Sequence, residues 1–143
     1  MKNFFFIVLV FACSSSSNEK LQLKSIETHD LAVKISEHVS EKIKRIEVYM
    51  EQLEEPMKSI LKDSVEVLKK DYAYWESTII EVSGHEHEHH EHSSHKHVMR
   101  TDLTPDMMLE IQSDLRNRIV RLNGMVKKVL DKLEINNPNT ILK

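Results

Sequence analysis

The sequence predicts an all-α protein, either an antiparallel helical hairpin or a three-helix bundle with coiled-coil-like packing, interrupted by a flexible histidine-rich loop. Three observations predict this. Apolar residues recur three and four apart along most of the 143-residue chain, the spacing of amphipathic helices with one buried face. Two glycines and three prolines are too few turn-formers for a β-sandwich or barrel. The aromatic supply is thin. All four phenylalanines precede Cys13, and the body keeps only Tyr49, Tyr72, Tyr74 and Trp75, so aliphatic seams must carry the packing. With 30% charged and 40% apolar residues, the chain is neither a membrane bundle nor a disordered tail. A net charge of −3 without any block of Lys or Arg argues against a nucleic-acid groove.

The first element is an address. Met1-Lys2-Asn3 is positively charged and Phe4 to Ala12 is unbroken apolar sequence, too short to span a bilayer, which takes about 20 residues, but suited to a signal peptide over 1–12. Residues 13–19 begin with the chain's single cysteine and continue through Ser14 to Ser17, a polar run expected to form a structureless tether. A sole cysteine has no internal disulfide partner.

The body, 20–143, reads as three helices. In the first, about 20–54, the stripe is Leu31, Ile35, Val39, Ile43, Ile46, Met50 and Leu53. Pro56 then predicts a break or sharp kink near 54–56, because proline inside a helix costs about 3 kcal/mol but suits a first turn; one long kinked helix is the alternative. The second helix, 56–82, carries Met57, Leu61, Val65, Leu68, Tyr72, Trp75, Ile79 and Val82. The third, 105–134, opens with Thr104 as a cap, Pro105 in the first position and Asp106 at the positive end of the dipole. Its stripe is Met108, Ile111, Leu115, Ile119, Leu122, Val126, Val129 and Leu133, and Asn136-Asn137-Pro138-Asn139 ends it. The second and third segments, each about 40–45 Å long at 1.5 Å per residue, are expected to pair antiparallel. The first would lie beside them or continue outward as a stalk. These stripes read as core, and the Glu–Lys neighbours along the helices as solvated faces.

The loop, 84–100, holds the distinctive chemistry. His85, His87, His89, His90, His92, His95 and His97 lie within fourteen positions, interleaved with Glu86, Glu88 and Glu91. Imidazole is a favoured ligand of zinc, nickel and copper, and at neutral pH most rings keep a lone pair for the metal. An extended chain puts His85, His87 and His89 on one side. A helical turn would instead group His85 with His89, His89 with His92, and His92 with His95. These seven histidines are the candidate metal ligands, and no cofactor is otherwise required. His85-Glu86-His87-Glu88-His89 also fits the H-E-x-x-H pattern of zinc proteases. That chemistry needs two histidines fixed on one helical face and a third ligand, whereas a repetitive His/Glu run generates the pattern by composition. The chain is therefore read as a binding protein and not an enzyme. His29 and His38 read as ordinary surface histidines of the first helix.

Val10-Phe11-Ala12-Cys13 resembles the lipobox of bacterial lipoproteins, with Phe11 bulkier than the residue usual there. The whole resembles small Bacteroidota lipoproteins, in which a very short signal is followed by cysteine and serines. The resemblance implies cleavage before Cys13, a diacylglyceryl (palmitate-type) anchor on its sulfur, and residence in the envelope, on the outer membrane facing the periplasm or the surface. Leu103-Thr104-Pro105, opening a long helix after a metal-binding loop, also resembles the L-T-x-x-Q element of the Spy/CpxP periplasmic helical-hairpin proteins. The motif's glutamine position is Met107, and the nearest glutamine is Gln112. That likeness implies metal buffering, metal sensing or a chaperone-like cradle. Two functions are expected from these features. One is a membrane-anchored lipoprotein whose helices hold a metal-capturing loop away from the bilayer. The other is a structural helical lipoprotein that pairs with a second copy or an envelope partner, its histidines incidental.

Overall fold

The structure, a computed structural model, describes the backbone of residues 12–85 and 98–136, and the side chains of 16–85 and 100–134. Three helices, α1 (Ala12–Gln52), α2 (Met57–Ser77) and α3 (Pro105–Asn136), form a bundle. Two short strands, β1 (Ile80–Glu81) and β2 (Val98–Met99), lie between α2 and α3. The fold is all-α in the sense the periodicity predicts, with α1 as a full member of the bundle and not a projecting stalk.

Each helix buries a seam whose steps alternate between four and three residues. In α1 the seam is Ser25, His29, Ala32, Ser36, Val39, Ile43 and Ile46, all buried. In α3 it is Met108, Gln112, Leu115, Ile119, Leu122 and Val126, and in α2 it is centred on Val65, Leu68 and Trp75. Alternating steps of four and three average 3.5, which keeps a seam facing its partner as in a coiled coil. The lower seams are aliphatic. The upper seam, around Ser25, His29 and Gln112, is polar.

Cross-links between helices fix their directions. His29 meets Gln112, Lys42 Nζ donates to Asn123 Oδ1 at 2.7 Å, and Arg45 pairs with Glu134. The numbers rise together, so α1 and α3 run parallel. Lys69 Nζ reaches Glu47 at 2.8 Å, and Gln22 Nε2 donates to the Ser83 carbonyl at 3.0 Å, so α2 runs antiparallel to α1. The Trp75 indole donates to the Leu115 carbonyl at 2.8 Å and ties α2 to α3. The long parallel pair α1 and α3 is the main interface, and α2 packs against both. An isolated α2–α3 hairpin is thereby replaced by the three-helix arrangement.

Helix ends depart from the sequence expectation in two places. The first helix begins at Ala12, so the serine run expected to be a structureless tether continues α1 instead. Four serines cost little more than other polar residues when a long helix propagates through them. The second helix stops at Ser77 and not near residue 82. The Thr78 N–H bonds the Trp75 carbonyl at 3.0 Å and the Ile79 N–H bonds the Glu76 carbonyl at 3.4 Å, closing the last turn tightly, and the β-branched run Thr78-Ile79-Ile80 favours extended backbone over helix. The break at Pro56 and the start at Pro105 stand where they were expected. Pro56 follows a cis peptide bond and caps α2, and the Met108 N–H bonds the Thr104 carbonyl at 2.9 Å.

The strands pair in parallel, Ile80 with Val98 and Glu81 with Met99. Parallel pairing needs a connection of a dozen residues or more, which residues 82–97 supply. No helix among the described residues is long and apolar enough to cross a membrane.

Candidate functional site

The site that the fold organises is the root of the histidine-rich segment. Immediately after β1 the chain turns sharply. The His85 N–H bonds the Val82 carbonyl at 3.1 Å, and Gly84, third of the four turn residues, has φ +78°. A positive φ at that position alone is the pattern of a type II turn, which glycine adopts without strain. The Ser83 hydroxyl donates to the Arg100 carbonyl at 3.3 Å, so the two ends of the segment are tied both by the ladder and by this bond. Gln22 clamps the turn from α1 through Ser83. Beyond it, Arg100 forks onto the Asp102 carboxylate through two bonds of 2.8 and 2.7 Å, which lowers that carboxyl to a pKa of about 2.

Two neighbouring residues of α1 reach this root on different sides. Helical neighbours are separated by about 100°, so His29 faces inward while Asp30 faces out. Asp30 Oδ1 accepts a hydrogen bond from His85 Nε2 at 3.0 Å. A carboxylate oxygen can only accept, so Nε2 is a protonated nitrogen of this ring. A carboxylate behind a histidine in this way orients metal ligands and raises their basicity.

His29 is 1% exposed, which corrects its reading as a surface histidine. Continuing the α1 seam back from Val39 by three, four and three residues lands on it, and the bundle encloses that position whatever residue fills it. Its Nδ1 lies 3.0 Å from Gln112 Oε1. The Gln112 amide nitrogen is committed to the Ile80 carbonyl at 2.7 Å and approaches Met108 Sδ at 3.5 Å, so its oxygen is the atom presented to the ring. His29 Nδ1 is thus the donor. Nε2, on the other side of the ring, stands 3.5 Å from Glu81 Oε2. Gln112 is fully buried and Glu81 is 7% exposed. One polar cluster therefore ties α1, β1 and α3 together beneath the turn.

Of the seven candidate metal ligands, His85 is placed at this root. His87, His89, His90, His92, His95 and His97 lie outside the described residues, as does the Cys13 side chain. Among the described residues no group of three or more His, Cys, Asp or Glu is arranged to hold a metal. His38 is exposed on α1 and pairs with Glu41, as a surface histidine should. Sequence reasoning missed His29, Asp30, Glu81 and Gln112. The seam phase would have revealed His29 and Gln112, whereas the long-range β pairing that positions Glu81 leaves no local signal. Comparison with known protein families, with characterised proteins and with solved structures finds no match to this chain.

The root also lies at the Cys13 end of α1. Gln22, which holds the turn, is nine residues beyond Cys13, about 14 Å along the helix at 1.5 Å per residue. The expectation that the helices carry the loop away from that end is corrected. The antiparallel return of α2 brings the chain back beside the start of α1.

Proposed function

We propose that this chain is a lipid-anchored protein of the bacterial envelope that captures or buffers zinc, nickel or copper through the His/Glu-rich segment 85–97. The observation that carries the reading is the concentration of seven of the chain's nine histidines in one segment whose two ends are tied together at the head of the bundle. With Cys13 acylated, the segment works close to the membrane surface. Coordination requires neutral imidazole, so binding releases protons and weakens as pH falls toward about 5.5, below the ordinary histidine pKa of roughly 6.5. Calorimetry of the full chain in detergent tests it. Zinc binding at sub-millimolar affinity is expected, and it should vanish when all seven histidines become alanine. Equal binding by that variant would refute the reading. Metal analysis of protein purified without added metal or a nickel column tests whether the site is occupied in the cell.

A specific observation favours a second reading, a structural helical lipoprotein that pairs with a partner. Ile60, Val67 and Tyr74 recur seven apart on α2 and are 67, 56 and 62% exposed, an apolar row outside the bundle. Sedimentation with and without chelator separates the two. Metal-independent assembly that is lost on Val67→Lys would support pairing through this row.

A further inference from the structure

We infer that a second copy of this chain covers the exposed row of α2, the two α2 helices lying side by side and parallel about a two-fold axis. This deepens the pairing reading above, rests on it, and names the partner. The row is Ile60, Val67 and Tyr74, between 56 and 67% exposed. A seven-residue step returns to nearly the same side of a helix, drifting by about 20°. The three side chains therefore form one line, about 21 Å long at 1.5 Å per residue. Other exposed apolar residues, such as Leu23 and Val48 on α1, stand several turns apart and are ordinary for a protein surface. At the head of the row Arg118 of α3 lies over the Tyr74 ring, 5.1 Å from its centroid. That cation–π contact holds the ring in place.

The flanks of the row are complementary to themselves. At about 100° per residue, Asp63 and Lys70 lie roughly 40–60° to one side of Val67, and Ser64 and Asp71 as far to the other. All four are exposed. In a parallel pair of helices each flank faces the opposite flank of its partner. Lys70 then stands within about 1.5 Å, along the axis, of Asp71 of the second copy, and Asp63 faces Ser64 of the second copy. The two-fold axis repeats both contacts. Along the row each side chain meets its own counterpart, so equal sizes stay level. An antiparallel pair would set Lys70 beside Asp63 and lay Ile60 against Tyr74. It would also send the two Cys13 ends in opposite directions. Copies standing on one membrane share a direction, so the parallel pair is the one they can form. It brings both loop roots to the same end, because α2 of each copy returns to the start of its own α1. Three apolar side chains per copy fall short of the roughly 1,600 Å² of a standard interface. Pairing should accordingly be weak in solution, with a Kd on the order of 10–100 μM, and strengthened where anchoring raises the effective concentration.

The experiment is sedimentation equilibrium of the full chain in density-matched detergent with chelator, over a wide range of concentration around that value. Concentration-dependent dimers are expected. Val67→Lys sets two cations against each other and should weaken the dimer at least tenfold, whereas Val48→Lys, the same change on α1, should leave it unaltered. Both positions are exposed and lysine is the better helix former, so the bundle survives either change. Lys70→Asp should weaken the dimer several-fold, and adding Asp71→Lys should restore it. Rescue by Asp63→Lys in place of Asp71→Lys means an antiparallel pair and overturns the inference. A monomer at every concentration, a dimer indifferent to Val67→Lys, or one that forms only with zinc overturns it too. Val67→p-benzoylphenylalanine, photolysed in cells, separates this inference from the pairing reading beneath it. A product of twice the chain mass supports the second copy. A cross-link to a different protein overturns the inference and leaves the row as an interface, and the absence of any cross-link removes both.

Discussion

Replacing Gln112 by methionine isolates the polar knot that holds the loop root. Methionine matches glutamine in length and helix propensity and suits a buried position beside Met108, so shape and helicity change little. What disappears is hydrogen bonding. The bonds to His29 Nδ1 and to the Ile80 carbonyl each contribute about 1 kcal/mol net. Stranding the His29 donor, itself 1% exposed, adds a desolvation cost of roughly 1–3 kcal/mol. Greater apolar burial offsets part of this, which leaves a net loss of about 3 kcal/mol. Urea unfolding in chelator, followed by the fluorescence of the buried Trp75, reads it directly. With a slope of about 2 kcal/mol/M, the midpoint should fall by about 1.5 M. His29→Leu combined with Gln112→Met should cost less than the two changes summed, by about 1–3 kcal/mol, because no orphaned donor remains. A single-variant loss below about 1 kcal/mol, or strict additivity in the pair, would refute the hydrogen-bond assignment.

Three further outcomes follow from individual positions. Gly124 lies exposed inside α3 and a Cβ there would meet nothing within 4 Å, so Gly124→Ala should raise unfolding stability by about 0.5–1 kcal/mol, read as a higher urea midpoint. Gly84 is the reverse case. At φ +78° an alanine incurs about 1–2 kcal/mol of left-handed strain, so Gly84→Ala should lower the midpoint and speed amide exchange at His85. The Tyr72 phenol is pushed up to about 12, chiefly by burial and then by the charge of Glu76, against bonds to Ser40 and Ser36 that pull it down. A raised phenol pKa makes a contribution that is complete below pH 10 and lost as pH climbs from 10 towards 12. Stability of Tyr72→Phe should therefore fall less steeply than the native chain over that window.

The helices were legible because their cause is local. The aliphatic lower seams repeat at 3.5, and Pro56 and Pro105 act on their own turns. The polar upper seam was not legible from hydropathy. Choosing the apolar residue nearest each turn selects Leu31, which is 42% exposed, and passes over His29 and Ala32. The phase set by Val39, Ile43 and Ile46 places those two inside. Ile111 and Gln112 repeat the lesson on α3, where the half-buried neighbour is apolar and the fully buried one is the amide. The end of α2 was obscured because Ile79 and Val82 continue the helical spacing while standing on either side of the strand β1. The pairing of Ile80 with Val98 joins residues far apart in sequence, and a two-residue strand has no period to read. The six histidines from His87 to His97 and the expected lipid attachment at Cys13 lie outside the described side chains.

Polar residues in a helical seam lower the stability that leucine or valine would supply, so their presence calls for a compensating gain. The geometry of the segment's base identifies one. Bringing together the ends of residues 82–97 costs a free chain roughly 2.5 kcal/mol by the logarithmic loop-closure rule. Here the bundle has already met that cost. Gln112 holds Ile80, β1 holds β2, Ser83 holds Arg100 and Gln22 holds Ser83. Chelation that joins a donor near one end, such as His85, to one near the other, such as His97, then begins from neighbouring ends. At 1.4 kcal/mol per decade, the saving is roughly sixtyfold in affinity over the same segment in an open chain. A ligand set taken wholly from one end, such as His85 with His89, gains nothing from the closure. The polar seam thus trades bundle stability for affinity only where metal bridges both ends of the segment, and zinc affinity should drop when the ladder is broken only if the bound set spans it.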